Sequence, residues 1–385
     1  MIAYNKEWLG NLLVRTEADK AAKNQCISKT EKEQVYAAYP SQFYTPNFFV
    51  RIGLFILTCV IVFFSLGLMS LLFLDHLDQV GGLFIFFGLV IFGVLEFMVN
   101  KGHYKSGVDD ALIWMGAGNI IGGLNGLANI STTVNAIIIF VIALFLFLRF
   151  THTIMAGIAA LAFLAIIFLT SIQLGSLAKA VTPFIVMIAA ALLYFFVKQQ
   201  IKTGKHKYYA NGLLVISVLA LVCFYAAGNF FVVREASIAL LNMDLKEGES
   251  IPLGWLFWMF TISIPLLYMA RGIQKKDAVL LRTGLLLVAA IVFTVRYYYH
   301  VMPAELAMLT GGIVFIAVAY ALIKYLHEPK YGFTYKEQND EFLMDKLAVE
   351  SLVIAQTFSG PSLPTDTGTQ FGGGSGGGGG ASGEF

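Results

Sequence analysis

The sequence predicts an all-α polytopic transmembrane helix bundle of about ten spans, with short cytoplasmic helices at both ends. Three observations carry that reading. Of 385 residues, 58% are hydrophobic and only 13% charged, whereas a soluble domain carries about 25% charged residues. Apolar runs of about 20 residues, the length that a bilayer core of roughly 30 Å demands, recur from residue 51 to residue 326. Lysine and arginine also sort by side: with the N-terminus inside, 22 fall on inner segments and only Lys179, Arg234, Lys246 and Arg296 on outer ones. Such a split is the positive-inside signature and predicts both termini in the cytoplasm. The net charge of +2 conceals this asymmetry and gives no nucleic-acid signal.

Residues 1–49 are polar and read as two short helices. Trp8, Leu9, Leu12 and Leu13 share one helical face, and Ser28-Lys29-Thr30-Glu31 is a capping box that starts the second helix. Pro40 ends it. No apolar run precedes residue 50, so no cleavable signal peptide is expected and the first span serves as its own signal. The bundle, 50–326, is divided into spans at 51–74, 80–99, 110–130, 133–148, 154–172, 181–197, 211–233, 253–271, 278–297 and 304–326. Pro183, Pro252 and Pro303 lie at or just before span starts, where a missing N–H costs little. Pro265 lies mid-span and is expected to kink its helix. Trp255, Trp258 and Tyr297 to Tyr299 fall where an outer aromatic belt belongs. The sizeable outer loop, 234–252, is too short for a domain.

Residues 327–360 form a cytoplasmic region in which 336–357 read as an amphipathic helix, stopped by Gly360-Pro361. Residues 361–385 are a linker and glycine-rich tail, a composition that buries too little apolar surface to fold alone.

Catalytic motifs are missing. The six histidines are dispersed without metal-ligand spacing, and Lys202-Thr203-Gly204-Lys205 is a basic loop without a Walker pattern. Gly116-Ala117-Gly118 with Gly122 imitates a dinucleotide turn but lies inside a span with no strand before it. No cofactor or metal is implied, and an enzyme has no positive support.

Two constellations are candidates for function. In the third span Gly118, Gly122 and Gly126 are spaced by four, with Asn125 and Asn129 on the same face and Asn119 nearby. Small-xxx-small faces let helices approach closely, and amides in lipid need partners, so this face is either packing or a polar pathway. The second is Glu96 with Asp109 and Asp110, joined by an inner loop holding His103. Carboxylates near the membrane are functional candidates; this group would pass protons or bind a cation, or would equally pair with Lys101 and Lys105.

The stretch from Phe43 to Phe55, FYTPNFFVRIGLF behind a helical polar N-terminus, resembles uncharacterised multi-span bacterial membrane proteins of a domain-of-unknown-function type. That resemblance implies a bacterial cytoplasmic (inner) membrane and brings no catalytic residues. The tail, with Phe371 ahead of the glycines and Gly380-Ala381-Ser382-Gly383-Glu384-Phe385 at the end, resembles the glycine-rich tails of TPM-domain membrane proteins. Glu384 and the terminal Phe385 depart from the usual Gly-Ala-Ser-Gly-Trp ending. On this resemblance Phe371, Ala381, Ser382, Gly383 and Phe385 would be read by a cytoplasmic or membrane partner; the competing reading is a solvated, disordered tail. The expected function is therefore a membrane scaffold, assembly or regulatory protein working through its cytoplasmic ends. The alternative is a secondary transporter of a small solute or ion through the third span.

Overall fold

The computed structural model describes residues 2–72, 80–241 and 251–298, with isolated positions between 309 and 324. Most of the tenth expected span, and all of the amphipathic segment 336–357 and the tail, lie outside the described residues. The described chain is helical and contains no strand, only an isolated bridge between Tyr44 and His103. In order it forms α1 (Lys6–Lys23), α2 (Lys29–Ala38), α3 (Phe48–Leu72), α4 (Val80–Asn100), α5 (Val108–Leu127), α6 (Thr132–Phe150) and α7 (Thr153–Ser171). Then come α8 (Ala178–Thr203), α9 (Ala210–Gly228), α10 (Phe230–Leu241), α11 (Gly254–Lys275) and α12 (Ala278–Tyr298).

Eight of these, α3, α4, α6, α7, α8, α9, α11 and α12, are long and apolar enough to cross a membrane. The architecture is that of a multi-pass membrane protein. The third expected span, α5, is not among the eight, because Asp109, Asp110, Asn119 and Asn125 lower its hydropathy. The α3 helix shows what lipid exposure looks like: Phe63 and Phe64 are 62% and 77% exposed. The main core lies between α4, α5, α6, α7 and α9, with Leu95, Ile113, Leu146 and Ile216 among its members. The antiparallel hairpins α4–α5, α6–α7, α8–α9 and α11–α12 make the closest packing, and α9 joins α7 and α8 to α11 and α12.

The seventh expected span, 211–233, is corrected. Its helix stops at Gly228, Asn229 is extended (φ −81°, ψ 128°), and α10 starts at Phe230. Side chains satisfy the broken backbone. Asn229 Oδ1 accepts the Val232 N–H at 3.2 Å, and Thr261 Oγ1 accepts the Phe230 N–H at 3.0 Å. Asn229 Nδ2 also donates to Tyr225 Oη at 2.8 Å and to Thr294 Oγ1 at 3.1 Å. Irregular backbone at membrane depth is tolerated where protein buries it, and Asn229 is 2% exposed. The 19 residues of α9 already rise about 28 Å. The break therefore ends a crossing and does not interrupt one midway. Trp258 and Tyr298, expected in a lipid-facing belt, instead pack with Phe230 beside this break at 4.9 and 5.1 Å. Trp255 is 70% exposed, as a belt residue would be.

The capping box of α2 is present: Ser28 Oγ accepts the Glu31 N–H at 3.2 Å, and Glu31 accepts the Ser28 N–H at 2.7 Å. Lys32 and Tyr36 tie α2 to Asp19 on α1 at 2.6 and 2.8 Å. Hydrogen bonds from Ser28 hold the Glu31 carboxyl below its ordinary 4.5. Burial pushes the Asp19 carboxyl up, but the bonds from Lys32 and Tyr36 outweigh it and leave it below its ordinary 3.8. Both groups are more acidic folded than unfolded. Their contribution is complete above the unfolded values and is lost as the pH falls below these and through the lower folded ones. Acidification from pH 6 to pH 3 is expected to loosen 6–38 while the apolar helices keep their protection. Rate-corrected amide exchange at the two pH values measures this; unchanged protection in α2 would contradict it.

Candidate functional site

The chemically rich residues gather at the end of the bundle that carries the N-terminal segment. The α4–α5 loop is bent by Gly102, Lys105 and Gly107, all at positive φ. Gly107, at φ 93°, is the residue before α5, and a Cβ there would strike the Arg51 carbonyl oxygen of α3. Glycine is therefore required twice, for its dihedral and for the close approach of α3.

Asp109, in the first turn of α5, accepts the Ser106 N–H at 2.8 Å and the Ser106 hydroxyl at 2.9 Å on Oδ1. Its Oδ2 accepts the Lys105 N–H at 2.7 Å and, at 3.4 Å, the Tyr4 hydroxyl. The Tyr4 ring is buried and edge-on to Tyr104, Phe43 and Phe150, with centroids 4.9 to 6.4 Å away. Burial, followed by the neighbouring Asp109 carboxylate, holds its phenol protonated well above the ordinary range.

Asp110 has different partners. Arg51 of α3 donates to its Oδ2 from Nε at 3.0 Å and from Nη2 at 2.6 Å. Its Oδ1 lies 3.3 Å from His152 Nε2. His152 also caps α7, its Nδ1 accepting the Met155 N–H at 3.3 Å. An Nδ1 that accepts must carry a lone pair, so the ring proton sits on Nε2 and points at Asp110. One carboxylate thus ties α3, α5 and α7 together.

The sequence placed Glu96 with Asp109 and Asp110; the side chains separate them. Glu96 pairs with Arg149 of α6 through two bonds, Nε to Oε1 at 2.8 Å and Nη2 to Oε2 at 3.0 Å. Lys101 and Lys105, the expected alternative partners, lie over the Phe97 and Tyr104 rings. His103 is bonded to Ser106 at 3.1 Å. Each of the three carboxylates thus has its own set of partners.

The N-terminal segment is fastened to the same end. The Ala3 N–H donates to the Arg149 carbonyl at 2.9 Å, and the Tyr44 N–H to the Gly102 carbonyl at 2.9 Å. Tyr208 and Tyr209, after α8, donate to the Lys6 and Leu148 carbonyls at 3.2 and 2.7 Å. Four separate stretches of chain therefore meet in one cross-linked plate.

The third-span face is also rearranged. Nothing lies within 4 Å of a Cβ built on Gly118 or Gly122, and both are exposed. Gly126 touches Gly81 only at ordinary distance, 3.5 Å. The close approach belongs to Gly116 and Gly123, which face Gly88 and Gly81 of α4. A Cβ on Gly123 would lie 2.5 Å from the Gly81 oxygen, and one on Gly88 3.1 Å from the Gly116 oxygen. Glycines seven apart on both helices form this seam. Asn125 donates to its own helix at Ile121 O and to Asn135 Oδ1, at 2.8 and 3.1 Å. Asn119 is buried and donates to Met115 O at 2.7 Å, while Asn129 is exposed. Asn119 and Asn125 thus bond to different groups, and Asn129 lies beyond the end of α5 at Leu127. Phe371, Ala381, Ser382, Gly383 and Phe385 lie outside the described residues.

Residue reading alone did not pick out Tyr4, His152 or a second polar clasp, Lys198 with Asp277. Lys198 Nζ donates to Asp277 Oδ2 at 2.7 Å and to Tyr194 Oη at 2.9 Å. Asp277 Oδ1 meanwhile accepts the Val279 and Leu280 N–H groups at the start of α12. The usable signal was Asp277 just before an apolar run, a helix-cap position. Among the described residues no three His, Cys, Asp or Glu side chains gather as metal ligands.

No protein-family model, curated protein or solved structure matches the chain.

Proposed function

We propose that this chain is an integral membrane scaffold or assembly protein that offers a fixed helical plate and a glycine-rich tail to a partner at its basic end. The observation that carries the reading is the plate itself. The N-terminal segment, the α4–α5 loop, the α6–α7 turn and the α8–α9 loop are cross-bonded there, and Asp109, Asp110 and Glu96 are all committed to holding it. A surface held by several independent clasps suits binding better than gating, which needs an element with two arrangements. In this reading α5 and 304–326 bring the eight crossings to ten, and the 22-to-4 charge split supports a cytoplasmic position for the plate and both termini. On the same reading, which the two resemblances support, the membrane is a bacterial inner membrane and Phe371 to Phe385 is a recognition segment.

The test is purification in mild detergent of the full-length protein beside a version ending at Gly360. A stoichiometric partner present with the first and absent from the second is expected. Partner-free, identical profiles would sink the scaffold reading. The transporter alternative is separated by Asn125→Leu with Asn129→Leu: a folded double variant that loses solute uptake would favour transport, whereas unchanged partner recovery fits the scaffold.

A further inference from the structure

The α8 and α11 helices both pack on α9, leaving a groove of about 700 Å³ between them. Its floor includes Ala220 and Phe224 of α9, and its walls include Ala191 and Phe195 of α8 and Ile264 and Leu267 of α11. All charge in the lining is at one end: Lys198 on α8, and Arg271 with Lys275 one turn further along α11. Lys198 is neutralised by Asp277, 2.7 Å away. Arg271 and Lys275 are exposed, and neither makes an ion pair among the described residues.

We infer that this groove holds an anionic phospholipid of the leaflet at the basic end, one acyl chain lying along α9 and the phosphate between Arg271 and Lys275. Length supports it. From Met187 to Lys198 along α8 the rise is about 16 Å, the depth of one leaflet in a roughly 30 Å core. Charge supports it as well, because basic pockets between spans on one face recognise anionic headgroups. A water-soluble anion would meet an apolar wall, and a neutral lipid would leave two cations unmatched. A larger apolar groove of about 840 Å³ between α6, α7, α8 and α9 supplies the contrast, since no Lys, Arg, Asp or Glu lines it.

The experiment is native mass spectrometry of the full-length protein in mild detergent, titrated with phosphatidylglycerol or with phosphatidylcholine of the same acyl chains. Wild type is expected to retain phosphatidylglycerol about thirtyfold better, two cations at a lipid surface being the source. The preference is expected to vanish in Arg271→Gln with Lys275→Gln and to survive in Arg271→Lys. It is expected to vanish also in Ala191→Trp, which fills the groove without changing charge. It should persist in Lys202→Gln with Lys205→Gln, basic residues at the same end outside the lining. Each variant is compared only after it elutes as a monodisperse species. Equal retention of the two lipids by wild type overturns the inference. So does a preference lost in the Lys202 and Lys205 variant, which would mean diffuse surface attraction, or one kept in Ala191→Trp, which would mean the groove is not occupied.

Discussion

Replacing Gly123 by leucine is expected to break the α4–α5 hairpin, while the same change one residue earlier, at Gly122, is expected to leave it intact. A Cβ on Gly123 would lie 2.5 Å from the Gly81 oxygen and 2.9 Å from the Ile85 nitrogen, both main-chain atoms. A flexible side-chain tip swings aside; a helix backbone moves only with the whole helix. Overpacking a well-filled interior costs about 1–3 kcal/mol, and backbone on both sides of the seam puts Gly123→Leu at or above the top of that range. Gly116→Leu is expected to be milder, because its nearest obstacles are the Phe92 ring atoms at 2.5 and 2.8 Å. Gly118→Leu and Gly122→Leu point into open space and are expected to shift thermal unfolding in detergent by no more than the assay error. Equal losses at Gly122 and Gly123 would show that the helices pair in another register.

The Arg51–Asp110–His152 clasp is expected to respond asymmetrically. Arg51→Leu is expected to destabilise the fold more than Asp110→Leu does. The Asp110 side chain is 11% exposed and the Arg51 side chain 41%. Without Arg51, a buried carboxylate keeps only the single His152 bond. Without Asp110, the guanidinium reaches water and His152 loses one acceptor. Breaking a buried pair costs about 3–5 kcal/mol; the half-exposed arginine lowers the expectation for Arg51→Leu to about 2–3 kcal/mol. The double variant is expected to be more stable than Arg51→Leu alone, since no unpaired charge remains. Strict additivity in that cycle, read from thermal midpoints, would mean the pair is not coupled.

Much of the architecture was legible because it rests on local pattern. Apolar runs fixed α3, α4, α6 to α9, α11 and α12, and the Ser28–Glu31 spacing fixed the start of α2. The glycine seam was half legible. A spacing of four singled out Gly118, Gly122 and Gly126, yet the contacts use Gly116 and Gly123. One helix shows which residues can share a face; its partner, with Gly81 and Gly88, decides which face is used. The clasps were illegible for a related reason. Asp110 meets Arg51 and His152 across 59 and 42 positions, and Tyr4 meets Asp109 across 105. Composition makes such residues look like interfacial charges, and only the packing of α3, α5 and α7 reveals them as partners. The break at Asn229 escaped because Phe230 to Val233 continue the apolar run, and hydropathy does not register the hydrogen bonds that turn the chain there.

The Ala3–Arg149 hydrogen bond and the Tyr4–Asp109 contact also set an order of events during synthesis. The ribosome makes residues 2–5 well before their receptor. The carbonyl that accepts from Ala3 belongs to Arg149, at the end of α6. At about 5–20 residues per second the segment waits on the order of ten seconds while α3 to α6 are synthesised. Tyr208, which closes on Lys6, comes later still. Residues 3 and 4 are thus made before their partners and seated after them, and their docking marks the completion of the helices beneath.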